Sequence, residues 1–456
     1  MRTINLLAFF LLVAIDASDA IAQSDAALFS RLDSIAGADV TEERAVGLVV
    51  AVVKGKDKLL LEAYGNADAD GSVAMTANTV IPIGSVSKQF TAAAILQLRD
   101  AGRLGLDDPM AKWLPAFESR GDGVTLRHLL GHTAGIPEFG QMQELHEMRL
   151  LTNQNVGRDS VYEIISRYAP QFPAGTMQVY SNTGYWLLGR VIEKVSGMTY
   201  EEYVEKRMFE PLGMTRSMYC DNSNNVLDRA YGHGMRNGVV RRAPSIVHTA
   251  TYAAGGICST AGDMVTWLRS LHGGEVLSPQ SYAEMIAPST LTDGTPLRYG
   301  MGLTVWNDSR DLEQIGHDGG GFGFSSQAWW HPDAQLAVVV LTNSEPDNTT
   351  AIVEALSAAV LPAGPAAPVF SDDTSPLIGT YKGRRGSMEM VIAVSPSPEG
   401  LVASINDAAA IPLTWIEGWT FRTRAPQLTF RRSGNGGPAS ELRFDTGGDH
   451  IILKGQ

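Results

Sequence analysis

Ser85 and Lys88 stand three residues apart in Gly84-Ser85-Val86-Ser87-Lys88-Gln89-Phe90-Thr91, ahead of an apolar run from Ala92 to Leu98. On a helix that spacing puts both side chains on one face. A hydroxyl beside an amine that can lose its proton is one way to build an activated serine nucleophile. The requirement is steep, because a lysine with a reference pKa of about 10.4 must shift by about three units, roughly 4 kcal/mol, to serve as a base near neutral pH. Burial away from carboxylates supplies such a shift, and between Tyr64 and Asp100 the only acids are Asp68 and Asp70. The plainer reading is a helix lysine on a solvated face, since Ser-x-x-Lys is a short pattern.

Two further stretches carry the groups such a nucleophile needs. In Tyr180-Ser181-Asn182, just before an expected helix, Tyr180 can relay a proton and Asn182 can bond a substrate amide with both ends of its side chain. Asn182 can equally be only a helix cap. In Gly316-His317-Asp318-Gly319-Gly320-Gly321-Phe322-Gly323-Phe324, the glycines beside an expected strand point to backbone that something approaches closely. N–H groups exposed there, around Gly319 and Gly320, can stabilise an oxyanion. The bland alternative is a flexible loop with a stray histidine.

The elements that must hold these residues are legible from periodicity. Residues 26–35 read as a short amphipathic helix, and 46–53 and 59–64 as strands of a hairpin around Lys54-Gly55-Lys56-Asp57. The helix carrying Lys88 is expected to stop near Gly102. Residues 105–275 read mostly as helices and long loops, with Thr125, Thr183 and Thr199 as caps and Gly197 as a stop. Residues 327–330 and 336–341 read as strands around His331-Pro332-Asp333-Ala334, and 351–360 as a closing helix. The fold class is therefore α+β: an antiparallel sheet built from both chain ends, flanking helices and a helical insertion, with the site at the seam. Trp329 and Trp330 can line a cleft, although one of two adjacent strand residues normally faces a core.

The 456 residues divide into four expected parts. Residues 1–22 read as a signal peptide, with Arg2, an apolar core from Leu6 to Ile15 and Ala20-Ile21-Ala22 as the cleavage pattern. That core is too short to span a bilayer, so no stable membrane insertion is expected and the protein is placed in the periplasm or outside the cell. Residues 23–361 form the main domain, 362–375 a Pro/Ala/Gly-rich linker, and 376–456 a small all-β domain of alternating strands. That tail carries nine Lys/Arg and seven Asp/Glu in a chain of net charge -13, and so differs electrostatically from the rest. The acidic balance argues against a nucleic-acid partner. Cys220 and Cys258 lie in no Cys-x-x-Cys pair; two buried free thiols are expected, although in an oxidising compartment they can pair. His128 and His132 stand four apart, but the Gly131-His132-Thr133 helix end argues against a metal site. No metal and no cofactor are expected.

Together, Ser85-x-x-Lys88, Tyr180-x-Asn182 and His317-x-Gly319 resemble, in that order, the three motifs of the serine β-lactamase and penicillin-binding-protein superfamily. The nearest likeness is to the class C β-lactamase-like branch, with its D-alanyl-D-alanine carboxypeptidases, D-aminopeptidases and family VIII-type esterases. The stretches 126–135, 209–214 and 254–260 are similar to that branch as well. The resemblance covers about residues 28–360 and implies that Ser85 is acylated, Lys88 takes its proton, Tyr180 passes a proton to the leaving group and Asn182 holds the substrate amide. It also implies the Ser85 and Gly320 N–H groups as oxyanion donors. His317 stands where β-lactamases usually carry lysine, and a histidine is only about a quarter protonated at pH 7. The resemblance implies a small D-residue-containing peptide, cleaved in carboxypeptidase or aminopeptidase fashion, and the histidine sets it ahead of a β-lactam. A carboxylesterase or weak β-lactamase of the same fold is the second expectation, and a non-catalytic wall-peptide or β-lactam sensor the third. The C-terminal domain resembles lipocalin-like barrels, with a lid or a dimer contact as its possible roles.

Overall fold

The run Gly47–Val53 holds no polar residue because both faces of its strand are covered. In the computed structural model the described residues are 25–456 except 120, 122, 150–155, 221–227, 237–238, 246, 309, 346, 363–369, 371, 386–387, 424–425 and 433–437. The expected signal peptide and most of the expected linker lie outside them.

A helix over residues 25–41 (α1), longer than the stretch expected, precedes the antiparallel strands β1 (Gly47–Lys54) and β2 (Asp57–Gly65). The helical block supplies α2 (Ser87–Asp100), α3 (Asn182–Ser196), α4 (His248–Gly255) and α5 (Ala261–His272). The chain then returns with β3 (Thr304–Asn307), β4 (Glu313–Gly321), β5 (Phe324–His331), β6 (Leu336–Thr342) and α6 (Thr349–Val360). The six strands form one antiparallel sheet in the order β2-β1-β6-β5-β4-β3, so strands from both ends of the chain meet at the β1–β6 pair.

Strand alternation splits β1 between two cores. Leu48, Val50 and Val52 pack with Leu32 and Ala36 of α1 and Ile352 and Leu356 of α6. Val49, Ala51 and Val53 join Phe90 of α2 and Trp267 of α5, whose rings stack at 3.9 Å. Trp329 and Trp330 obey the same rule on opposite faces, stacking on Trp306 and His272, so neither lies at the nucleophile.

Residues 379–455 form a separate nine-stranded antiparallel sheet. Its two edge strands, Ile411–Pro412 and Thr414–Glu417, are separated by Leu413 alone, so the sheet nearly closes into a barrel. Tyr381, Phe421, Phe430, Leu442 and Phe444 fill its own core.

Two expectations are corrected and one alternative is set aside. The bland loop reading of Gly316–Phe324 fails: Glu313–Gly321 is β4, an interior strand paired with β3 and β5. Glycine is disfavoured in strands, but here the backbone packs against the nucleophile turn. The cap of α3 is Ser181, whose side chain accepts from the Gly184 N–H, not Thr183. Cys220 and Cys258 form a disulfide rather than two free thiols. Thr125 and Thr199 are the caps expected.

Candidate active site

Ser85 sits in the single 3₁₀ turn Gly84–Val86 that leads into α2, half-buried, with Lys88 on the first turn of α2 and fully buried. The Lys88 Nζ stands 3.0 Å from Ser85 Oγ, 2.8 Å from Asn182 Oδ1 and 2.8 Å from the Ala254 carbonyl oxygen. Burial lowers the Lys88 pKa to about 7, with the Glu138 and Asp318 carboxylates pulling the other way. A neutral amine has two N–H bonds and one lone pair. Asn182 Oδ1 and Ala254 O can only accept, so they take both N–H bonds and the lone pair faces the Ser85 hydroxyl. That arrangement is a general base aimed at its nucleophile.

The Ala254 carbonyl is free for this because it lies in the last turn of α4, where carbonyls have no helical partner, and Tyr252, at φ 34° and ψ -127°, breaks that turn. The preceding carbonyl, of Ala253, accepts from Thr91 Oγ1 at 2.6 Å. A non-glycine residue at positive φ is strained backbone, and here it turns two carbonyls toward α2.

Asn182 is the first residue of α3 and its amide is oriented by Glu138. Nδ2 donates to Glu138 Oε1 at 2.9 Å, and the Asn182 main-chain N–H donates to Oε2 at 2.7 Å. A carboxylate cannot donate, so Oδ1 is left facing Lys88. The two-ended grip on a substrate amide expected for Asn182 is thus reduced to the second Nδ2 hydrogen. His132, which the sequence offers only as half of a rejected metal pair, accepts the Ser181 N–H on Nδ1 at 3.1 Å. Burial, reinforced by Lys88 and His317, holds its imidazole well below the usual range.

Tyr180 stands over this centre, with Lys88 Nζ 4.7 Å above its ring and the His132 ring 4.3 Å away. Its hydroxyl is buried, approaches Ser85 without reaching hydrogen-bond geometry, and has no hydrogen-bond partner among the described residues. Burial pushes its pKa well above the ordinary tyrosine value, so it is protonated at all physiological pH.

The glycines of β4 are divided. A Cβ on Gly319 would stand 2.2 Å from the Ile83 carbonyl oxygen and 2.9 Å from Ser85 N, so only glycine lets the strand pass the nucleophile turn. Gly320 has no such crowding, its nearest atom being Phe324 O at 3.6 Å. His317 departs further from expectation. It is 3% exposed, its Nδ1–H donates to the Asp318 carbonyl, and its Nε2 lies 3.0 Å from the Tyr299 hydroxyl. Both ring nitrogens are thereby satisfied in the neutral form. Burial lowers its pKa, against the pull of the Asp318 carboxylate. His317 packs behind Tyr180 at 6.0 Å between ring centres rather than facing the cavity.

The cavity of about 280 Å³ in front of Ser85 is lined on its walls by Glu138, Phe139, Asn182, Gly320, Phe322 and Phe324. Glu138 is the one charged lining side chain among the described residues. Lys88, Tyr180, Gly319 and His317 lie behind this surface. Among the described residues no group of three or more His, Cys, Asp or Glu is placed to hold a metal ion, and no helix is long and apolar enough to cross a membrane.

The sequence profile of the family described as Beta-lactamase matches residues 32–361. Penicillin-binding protein 4* of Bacillus subtilis (strain 168) is 28% identical over 314 residues, covering 66% of this chain and 68% of that protein. A D-stereospecific amidohydrolase from Streptomyces sp. is 27% identical with a TM-score of 0.62, over 72% of this chain and 98% of that one. The octameric penicillin-binding protein homologue from Pyrococcus abyssi shares the fold at 23% identity and a TM-score of 0.64, over 93% of this chain and 99% of that one.

Proposed function

Because the chain belongs to the β-lactamase family, as a serine hydrolase acting on amides or esters, we propose that it works through an acyl-enzyme on Ser85. The observation that carries this is the Lys88 amine, fully buried, with both N–H bonds taken by pure acceptors and its lone pair toward Ser85 Oγ. Lys88 takes the hydroxyl proton as Oγ bonds to the scissile carbonyl carbon. The oxygen that becomes negative lies between the Ser85 and Gly320 N–H groups. As the C–N bond breaks, the proton on Lys88 reaches the leaving amine through the Tyr180 hydroxyl. Water then attacks the ester, giving its proton to the neutral Lys88 amine, which returns it to Ser85 Oγ as that oxygen leaves.

The preferred substrate is an amide or short peptide with a free amino group and an apolar side chain. Glu138 offers an anion to the ammonium, and Phe139, Phe322 and Phe324 offer apolar surface. A substrate carboxylate meets no cation on the lining, which weighs against carboxypeptidase and β-lactamase activity. The D configuration rests on the Streptomyces amidohydrolase. We place the protein outside the cytoplasm on the leader pattern of residues 1–22, which the Cys220–Cys258 disulfide supports.

A substrate panel tests the reading: a D-amino-acid amide, its N-acetyl derivative, a peptide with a free C-terminal carboxylate, and a p-nitrophenyl ester. The free-amine amide is expected to turn over fastest among the amides. Turnover of the ester alone ends the peptidase reading in favour of a carboxylesterase. Labelling by a fluorescent penicillin without turnover of any substrate favours a sensor.

A further inference from the structure

The Tyr180 segment is held from behind by the far end of the chain. The Tyr180 main-chain N–H donates to Asp449 Oδ1 at 2.9 Å, and the His450 N–H donates to the Gln178 carbonyl at 3.0 Å. The two bonds clip residues 178–180 to the start of the last strand of the C-terminal sheet, where Gln178 and His450 form an antiparallel bridge. Gly448 lies against the Tyr180 ring so closely that a Cβ there would stand 2.7 Å from Cδ2. Asp449 is itself fixed. Its second oxygen pairs with Arg385 at 2.6 Å, and its own N–H donates to Thr446 Oγ1 at 3.0 Å. The Asp449 side chain is 6% exposed; burial raises its pKa, and Arg385 and the Tyr180 N–H pull it back by bonding its oxygens.

The Tyr180 hydroxyl has no hydrogen bond of its own among the described residues. Its reach toward Ser85 is therefore set by what holds the ring and the main chain. A misplacement of about 1 Å at a reacting group can cost on the order of 10²-fold in rate.

We propose that Asp449 is a positioning residue of the active site, holding Tyr180 where its hydroxyl can serve the leaving group, so that the C-terminal sheet is a working part of the catalytic centre. Asp449 touches no substrate atom and acts through Tyr180. The inference rests on the acyl-enzyme reading at Ser85.

The test uses the full chain, with Asp449→Ala, Asp449→Asn and Gly448→Ala beside Ser85→Ala and Tyr180→Phe. Each is assayed on a D-amino-acid amide, whose leaving amine must gain a proton, and on a p-nitrophenyl ester, whose leaving phenolate need not. Asp449→Ala is expected to lower kcat on the amide about 10- to 100-fold and on the ester less than about threefold, with KM little moved. Asp449→Asn keeps an acceptor for the Tyr180 N–H, leaves Arg385 to solvent, and is expected to stay within about threefold of wild type. In a Tyr180→Phe background, Asp449→Ala is expected to add less than about twofold, because both changes remove one function. Wild-type rates on the amide, equal losses on both substrates, or losses that multiply with Tyr180→Phe overturn the inference. Should Asp449→Ala fail to fold, Gly448→Ala is read by the same criteria. If Ser85→Ala remains active, the acyl-enzyme reading falls as well; if only Asp449→Ala behaves as wild type, this inference falls alone.

Discussion

Lys88 Nζ and Ser85 Oγ lie 3.0 Å apart, and the other two directions of the amine are committed to the Asn182 amide oxygen and the Ala254 carbonyl. Full burial without a partnering carboxylate brings the lysine to about 7, so near neutrality it is poised between base and acid. The Ser85–Lys88 pair has geometry, protonation and orientation at once, which a lysine on a solvated helix face lacks.

The first consequence is a pH profile. Because the reactive form is neutral Lys88, kcat/KM on an uncharged ester should fall as pH drops through about 7 and level off above it. His317, already neutral and buried, should contribute no limb near its usual value. A profile for His317→Asn that keeps the acid limb supports this, and disappearance of the limb in that variant assigns it to the histidine instead.

The same shift acts on stability. The folded-state pKa of Lys88 lies below its ordinary value of 10.5, so between about 7 and 10.5 the unfolded chain binds the extra proton. Stability contributed by this group therefore rises with pH across that window, by up to about 1.4 kcal/mol per pH unit, and the penalty is full below it. Urea midpoints of the wild type should gain on those of Lys88→Met from pH 7 to pH 10. Parallel curves would show that the lysine is not depressed.

Glu138→Gln should separate substrates. Loss of the anion is expected to reduce kcat/KM on free-amine amides about tenfold more than on N-acetylated ones, a difference of about 1.4 kcal/mol. Because Glu138 raises the Lys88 pKa, its removal should also move the acid limb to lower pH. Equal losses on both substrate types would reduce Glu138 to orienting Asn182.

These residues also show how far the sequence carries the account. Ser85 and Lys88 are legible because one helical turn brings them together, and the sheet of both chain ends is legible because β1 and β6 are apolar runs. Glu138, His132 and Asp449 carry no such signal: each acts on the Tyr180–Asn182 segment from a turn or loop far away in sequence. The glycines of β4 point in the sequence to a close backbone approach, but that it is the Ile83 carbonyl they pass comes only from the three-dimensional fold. His317 is legible as a position but not as an environment, because burial behind Tyr180 depends on packing that no motif encodes.

Gly319 and Gly320 should respond differently to the same change. Gly319→Ala forces a Cβ into the Ile83 carbonyl and the Ser85 N–H, with an expected loss of about 1–3 kcal/mol in stability and most activity. Gly320→Ala meets no atom closer than 3.6 Å and should fold normally. Thermal melts and ester turnover measured together distinguish the two.

Cys220→Ser opens a link between residues 38 apart in sequence. The expected cost is roughly 3–4 kcal/mol of stability, read as a lowered urea midpoint, with kcat close to wild type below the transition because neither cysteine touches Lys88 or Ser85.

The central claim is covalent. Intact-mass measurement after mixing the full chain with a slowly deacylating activated ester should show one acyl group, mapped by peptide digestion to Ser85 and absent from Ser85→Ala. An adduct of equal yield on Ser85→Ala, or one mapped to another residue, contradicts the account.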